Sequence, residues 1–362
     1  MEVRKIKIAL CLHMPPPMHG ASYMGQVLVN RIQADSGYDA EVIPVNTSVT
    51  LQKKQHWKAA WRFLVLLVQT IKILRSFSPD IIYFTPSSKG IAFLKDWIYV
   101  RIIGFHFGDR IFVHCHNKGF SMRKSWIWSL LYRSFFRRVK PILLSEKLYL
   151  DVASYVRKDE CFFCANGLQE PIDESLTCVD RRYDFLFLSN LLNEKGIWDF
   201  LEAMVYLKDA GREFSACVVG ADADVTVEDV SAFLIEKKLT EFVSVLGPVY
   251  GQQKEEIIGN CKTLVFPTFY HYECMPLVVI EAMRHGLAIV STSEGALTDL
   301  VVDEVNGNIV PSKDPLTLFT RLDALIGSPQ KMADYGRQSK AFYNRDYTER
   351  AFTSRMLNIL GS

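Results

Sequence analysis

Short apolar runs rich in β-branched residues recur along the whole chain, and the gaps between them carry helical spacing. The first set is Ile6–Leu12, Ala40–Val45, Asp80–Phe84, Arg110–Cys115, Pro141–Leu144 and Cys161–Ala165. The second is Asp184–Leu188, Phe214–Val219, Phe242–Leu246, Thr263–Phe266 and Leu287–Val290. A strand that is apolar along its whole length must be covered on both faces, as in a parallel sheet flanked by helices. Two such series in one chain predict an α/β protein of two doubly wound, Rossmann-like domains facing each other across a cleft. Ligands of such sheets bind outside the carboxyl ends of the strands, so the chemistry is expected in strand-to-helix loops.

The 362 residues suit two domains. The polar stretch LQEPIDESLTCVDRR, residues 168–182, contains Pro171 and lacks periodicity, which places the break there. The expected units are an N-terminal domain of residues 1–168, a C-terminal domain of 169–345, and a closing segment of 346–362. In that segment Thr348–Leu360 reads as a helix that packs back towards the N-terminal domain. Charge divides at the same place. Residues 1–168 hold 24 Lys+Arg against 11 Asp+Glu, leaving 18 against 29 in the remainder. The basic half is expected to face a membrane surface or a nucleic acid, or else to attract the acidic half across the cleft.

Cysteine usage points to a reducing compartment. Cys11, Cys115 and Cys217 sit inside apolar runs, and the lone pair Cys161 and Cys164 lacks the second pair that a zinc site needs. The longest apolar run, Phe63–Leu74, is interrupted by Gln69 and Lys72 and falls short of the ~20 residues of a membrane span. With no secretory leader before the first strand, the expectation is a cytoplasmic protein.

The densest signal is Phe266–Thr292, FPTFYHYECMPLVVIEAMRHGLAIVST. A strand ends near Phe266, a loop carries Glu273, Pro276 stands at a helix start, and Gly286 stops that helix. The amides of Leu277 and Val278 at the helix start suit a diphosphate, and Glu281, about one turn in, can accept hydrogen bonds from ribose hydroxyls. Glu273 can accept from a sugar or stabilise positive charge at an anomeric carbon. In DFLFLSNLLNEKGIWDF a strand gives way to Lys195-Gly196 at the mouth of a helix, where a lysine can neutralise a leaving diphosphate.

Taken together, Lys195-Gly196 and Glu273-Cys-Met-Pro-Leu-Val-Val-Ile-Glu281 resemble the family-four retaining glycosyltransferases of GT-B fold. Gly247-Pro-Val, Phe266-Pro267-Thr268 and Asn306-Gly307 fall in that family's order. The resemblance implies that Glu281 holds the donor ribose, Glu273 contacts the donor sugar, and Lys195 binds the diphosphate with the amides of Leu277 and Val278. It further implies that Pro248 and Val249 pack the base and that anomeric configuration is retained. No cofactor or metal is implied, since a UDP- or GDP-linked sugar is a substrate. Two positions depart from the pattern. Asn190 stands where an arginine is usual, and Cys274 follows Glu273 where glycine is usual.

In the N-terminal half, Gly20 opens a helix after the loop HMPPPMHG, and as a glycine it permits close approach of a phosphate or acceptor. His114 and His116 share one side of the strand RIFVHCH; His114 reads as core, and the resemblance places His116 near the donor sugar. The stretches Lys53–Arg75 and Met122–Lys140 interleave aromatic and basic residues at helical spacing, as do helices lying on a membrane. No motif that reads nucleic acid accompanies them. Asp222-Ala-Asp224 resembles a metal-binding D-x-D but falls in a plain loop. The expected activity is therefore sugar transfer from a nucleotide sugar to a glycan or lipid-linked acceptor, in cell-surface polysaccharide or glycolipid synthesis at the inner face of the membrane. A nucleotide-sugar epimerase or hydrolase, or a catalytically silent binding subunit, would share the same fold.

Overall fold

The computed structural model describes residues 4–14, 20–45, 56–108, 110–123, 125–169 and 181–362. The expected boundary at 168–182 and the loop before Gly20 lie largely outside the described residues. The chain forms two compact units, one of residues 1–166 with 352–362 and the other of 167–351.

In the first unit the elements run β1 (Ile6–Leu12), α1 (Gly20–Ala34), β2 (Tyr38–Pro44), α2 (His56–Phe77), β3 (Ile81–Phe84), α3 (Gly90–Phe107), β4 (Ile111–Cys115), α4 (Trp126–Phe136), β5 (Lys140–Leu143) and β6 (Phe162–Phe163). The strands form one parallel sheet in the order β2-β1-β3-β4-β5-β6. Every step from β2 onward crosses the sheet in one direction, so right-handed connections put α2, α3 and α4 on one face. Their inner sides, including Leu74, Phe93, Ile103, Tyr132 and Phe135, share one buried cluster with Ala9, Phe84 and Val113 of the strands.

The second unit runs β7 (Tyr183–Leu188), α5 (Ile197–Asp209), β8 (Ala216–Val219), α6 (Val227–Glu236), β9 (Val243–Gly247), α7 (Gly251–Gly259), β10 (Cys261–Phe266), α8 (Leu277–Arg284), β11 (Ala288–Ser291), α9 (Leu297–Leu300), β12 (Gly307–Ile309), α10 (Pro315–Ile326) and α11 (Pro329–Asp346). Its sheet is also parallel, in the order β12-β11-β10-β7-β8-β9. The chain starts in the middle at β7, builds outward through β8 and β9, then returns to β10 on the other side. The switch in winding direction therefore falls between β7 and β10, where doubly wound sheets open a crevice at their carboxyl ends. A last helix, α12 (Glu349–Leu360), closes the chain.

Each run read as a strand contains one, with ends shifted by a few residues. The largest shortfall is Cys161–Ala165, of which only Phe162–Phe163 pairs at the sheet edge. Strand β12 was not foreseen, because Gly-Asn-Ile is short and disfavours strands in isolation. It forms because Ile289 and Ser291 offer it a ready edge to pair with.

Candidate functional site

The carboxyl ends of β7 and β10 bring two of the expected residues into contact. After β7 the chain makes a 3₁₀ turn at Asn193–Lys195, and Gly196 then turns left-handed at φ 81° to start α5. A side chain at Gly196 would run into the carbonyl oxygen of Pro267, so glycine is needed both for the turn and for the approach. The carbonyl of Glu194 accepts from Phe269 N at 2.8 Å and from Thr268 Oγ1 at 3.2 Å, sewing the loop after β7 to the loop after β10. On its far side that second loop is held by Ala296 N, which donates to the Cys274 carbonyl at 2.7 Å. Gly295 packs so close there that a Cβ would lie 2.6 Å from that same oxygen.

Within this clamp Lys195 Nζ donates to Glu273 Oε2 at 2.5 Å, with side chains only 14% and 8% exposed. The ammonium also lies 4.7 Å from the ring centre of Tyr270 and 5.4 Å from that of Phe266. An ammonium has three hydrogens to donate. Lys195 can therefore keep Glu273 and still bind an incoming anion. Burial, and secondarily the Glu273 charge, raises the Tyr270 phenol above its ordinary range.

Glu281 stands on the same helix that follows Glu273, at the fifth residue of α8. Its Oε1 accepts from Lys254 Nζ at 2.6 Å. Pro276 is the N-cap of α8, no side chain caps that end, and its first turn carries no acid. The amides of Leu277 and Val278 thus begin the helix where its dipole is positive. Pro248 is exposed and Val249 buried, in the loop between β9 and α7. Asn190 is exposed at the end of β7. Asp222 and Asp224 are engaged by the backbone: Asp222 accepts from Val227 N and Asp224 from Asn193 N, each at 2.9 Å. Asp224 thereby shapes the turn that carries Lys195.

In the first unit His116 follows the last residue of β4, with its ring centre 4.1 Å from that of His114. His114 is fully buried and its Nδ1 lies 2.7 Å from the Tyr83 hydroxyl; burial, then the neighbouring His116, lowers its basicity well below the usual range. Gly20 is exposed at the first position of α1. The loop after β4 is fixed by Asp151, whose carboxylate accepts from Gly119 N, Phe120 N, Ser121 N and Ser121 Oγ at 2.7 to 3.1 Å. Cys161 and Cys164 are buried thiols pushed up by desolvation to about 11 and about 12. Sequence reasoning missed Lys254, Gly295, Tyr270 and Asp151, each of which meets a partner on another element.

Comparison with known proteins adds three findings. The sequence model of the family described as glycosyl transferases group 1 matches residues 169–342. An uncharacterized glycosyltransferase of Methanocaldococcus jannaschii is 25% identical over 217 residues, covering 55% of this chain and 54% of the relative. A putative colanic acid biosynthesis glycosyltransferase of Escherichia coli is 22% identical over 183 residues, covering 49% of this chain and 44% of the relative. The matched region thus spans about half the length of these curated relatives. Among solved structures, Anabaena HepE in complex with UDP and glucose superposes with a TM-score of 0.73, at 16% identity over 99% of this chain and 100% of the other. That likeness shows the GT-B fold.

Proposed function

Because residues 169–342 match the model of the glycosyl transferases of group 1, we propose that this chain moves a hexose from a UDP- or GDP-linked donor to a glycan or lipid-linked acceptor, with retention of configuration and without a metal. The observation that carries this reading is the buried Lys195–Glu273 pair at the switch point of the second sheet, with Glu281 and the start of α8 beside it in the chain. Lys195 and the amides of Leu277 and Val278 hold the diphosphate, Glu281 the ribose, and Pro248 and Val249 the base. Glu273 stabilises charge at the anomeric carbon as the bond to the diphosphate breaks. The acceptor hydroxyl bonds to that carbon on the same face, and its proton passes to the departing diphosphate oxygen. Asn190 supplies a neutral contact to that diphosphate.

The binding of UDP to HepE and the named role of the Escherichia coli relative support a nucleotide-sugar donor and a place in surface polysaccharide synthesis. A thermal-shift screen with UDP and GDP tests the donor site. One of them is expected to stabilise the protein by ~2.7 kcal/mol at a hundredfold excess over its dissociation constant. A protein indifferent to both would refute the reading. Sugar transfer followed by mass analysis, with acceptor omitted as the control, separates transfer from epimerisation or hydrolysis.

The acceptor side fits a membrane surface at its cytoplasmic face. No helix among the described residues is long and apolar enough to cross a membrane. The outer sides of α2 and α4 nevertheless expose Trp61, Leu64 and Val68, and Trp126, Ile127 and Leu130. Neither helix contains an aspartate or glutamate, and Arg62, Lys72, Arg75 and Arg133 lie among the exposed apolar residues. Between them α3 exposes Ile91 and Phe105, and a shallow hollow lined by Trp97, Leu130, Arg133 and Arg137 adjoins α4. Apolar surface mixed with cations and free of acid matches an anionic bilayer. Binding to phosphatidylglycerol vesicles but not to phosphatidylcholine ones is the expected result; equal or no binding to both would exclude it.

A further inference from the structure

Glu281 is held by a cation that nothing in the sequence pattern singles out. Lys254 Nζ lies 2.6 Å from Glu281 Oε1, and the side chains are 26% and 13% exposed. Lys254 is the fourth residue of α7, a helix that starts at Gly251, two residues after Val249. The carboxylate is on α8, so this one bond ties the helix that follows the Pro248-Val249 loop to the helix that follows Glu273. Partly exposed pairs of this kind add little to stability. Their geometric effect is larger: a glutamate has several free side-chain torsions, and a cation on Oε1 fixes the orientation in which Oε2 is presented.

We propose that Lys254 is a positioning residue for the nucleotide's ribose, locking Glu281 in the rotamer that accepts the ribose hydroxyls and linking that contact to the loop that packs the base. The assignment rests on Glu281 as the ribose contact. The seam between the two helices has a second lock. Glu255 Oε2 accepts from Arg284 at 2.5 Å and lies 2.8 Å from His285 Nε2. Replacement of Lys254 therefore leaves α7 and α8 joined, and Lys254→Met should fold with near wild-type thermal stability.

The test is calorimetry with whichever of UDP and GDP binds, alongside its 2′,3′-dideoxy form. In the wild type, removal of both hydroxyls should weaken binding about tenfold to a hundredfold, the usual effect of losing hydrogen bonds to a carboxylate. In Lys254→Met the loss should shrink to less than about threefold, because binding of the parent nucleotide falls while that of the dideoxy form does not. Lys254→Arg should restore most of the difference. In steady state, Lys254→Met should raise the donor KM far more than it changes kcat. If Lys254→Met discriminates as the wild type does, the positioning role is overturned and the ribose contact stands. If the wild type itself does not discriminate, or Glu281→Gln leaves discrimination intact, the ribose assignment fails and the proposal falls with it.

Discussion

The two sheets share one architecture and treat their carboxyl ends differently. Each has six parallel strands with a single reversal of winding. In the second unit the loops at the reversal are sewn together through Glu194 and enclose a buried ion pair, Lys195–Glu273. In the first unit the loop after β4 is held by backbone amides gathered on Asp151, and His114 is buried against the neutral Tyr83 hydroxyl. A buried lysine–glutamate pair is an uneconomical way to stabilise a fold, since desolvation offsets much of the attraction. Hydrogen bonds from amides to a carboxylate do so readily. On the proposed reading, the contrast separates the loop cluster that carries the donor chemistry from a loop that amides hold in shape.

Substitution of Glu273 should break that contrast most strongly. Glu273→Gln is expected to lower sugar transfer by ~10³-fold, the scale of losing one charge-stabilising group, while circular dichroism and nucleotide binding persist. Near-normal transfer would place Glu273 among structural groups. Gly196→Ala should come next, destabilising the second unit by at least ~2 kcal/mol in urea titration, because the new methyl needs both a left-handed turn and the space of the Pro267 carbonyl. In the first unit, Asp151→Ala should cost about 2–3 kcal/mol in the same titration, since it strands buried amides. Affinity for UDP or GDP should be unchanged, and a shift there would contradict the separation of roles.

The smallest effect concerns Asp199 in the first turn of α5, whose acidity is weakened to about 6 by burial and then by Glu202. The folded form holds the proton more tightly than the unfolded chain, whose value lies near 3.8. Its contribution is therefore intact below the unfolded value and is lost as pH rises from there through about 6. Asp199→Asn should stabilise the protein at pH 7.5 by about 1 kcal/mol, discounted for partial exposure, and by nothing at pH 3.5. Thermal melts at the two pH values check the sign.

Much of the second unit could be read directly. Glu273, Pro276, Glu281 and Gly286 lie in one continuous stretch whose helix start and stop signals are local, so their order along loop and helix follows from the sequence. Lys195-Gly196 is similar: a strand end and a helix start flank it. What could not be read is which strand ends are neighbours. Strands β7 and β10 are adjacent only because the chain winds outward through β8 and β9 before returning, and no residue in either strand announces that order. Lys254 and Gly295 escaped for the same reason, since each matters through a partner on another element. Strand β12 was missed because its pairing edge, not its composition, makes it a strand.

The sequence by itself determined most of the elements, all but the edge-dependent β12: period-two and period-3.6 patterns, capping residues and glycine turns act over a few residues and need no distant partner. It also determined the uneven charge of the two halves, which is composition alone. Only the tertiary structure decided that Lys195 meets Glu273, that Lys254 meets Glu281 and that Asp151 gathers the loop after β4. Those contacts join residues 27 to 78 positions apart. Such a pair is fixed by the winding of the sheet and the packing of helices on it, a collective property of the core that local patterning does not encode.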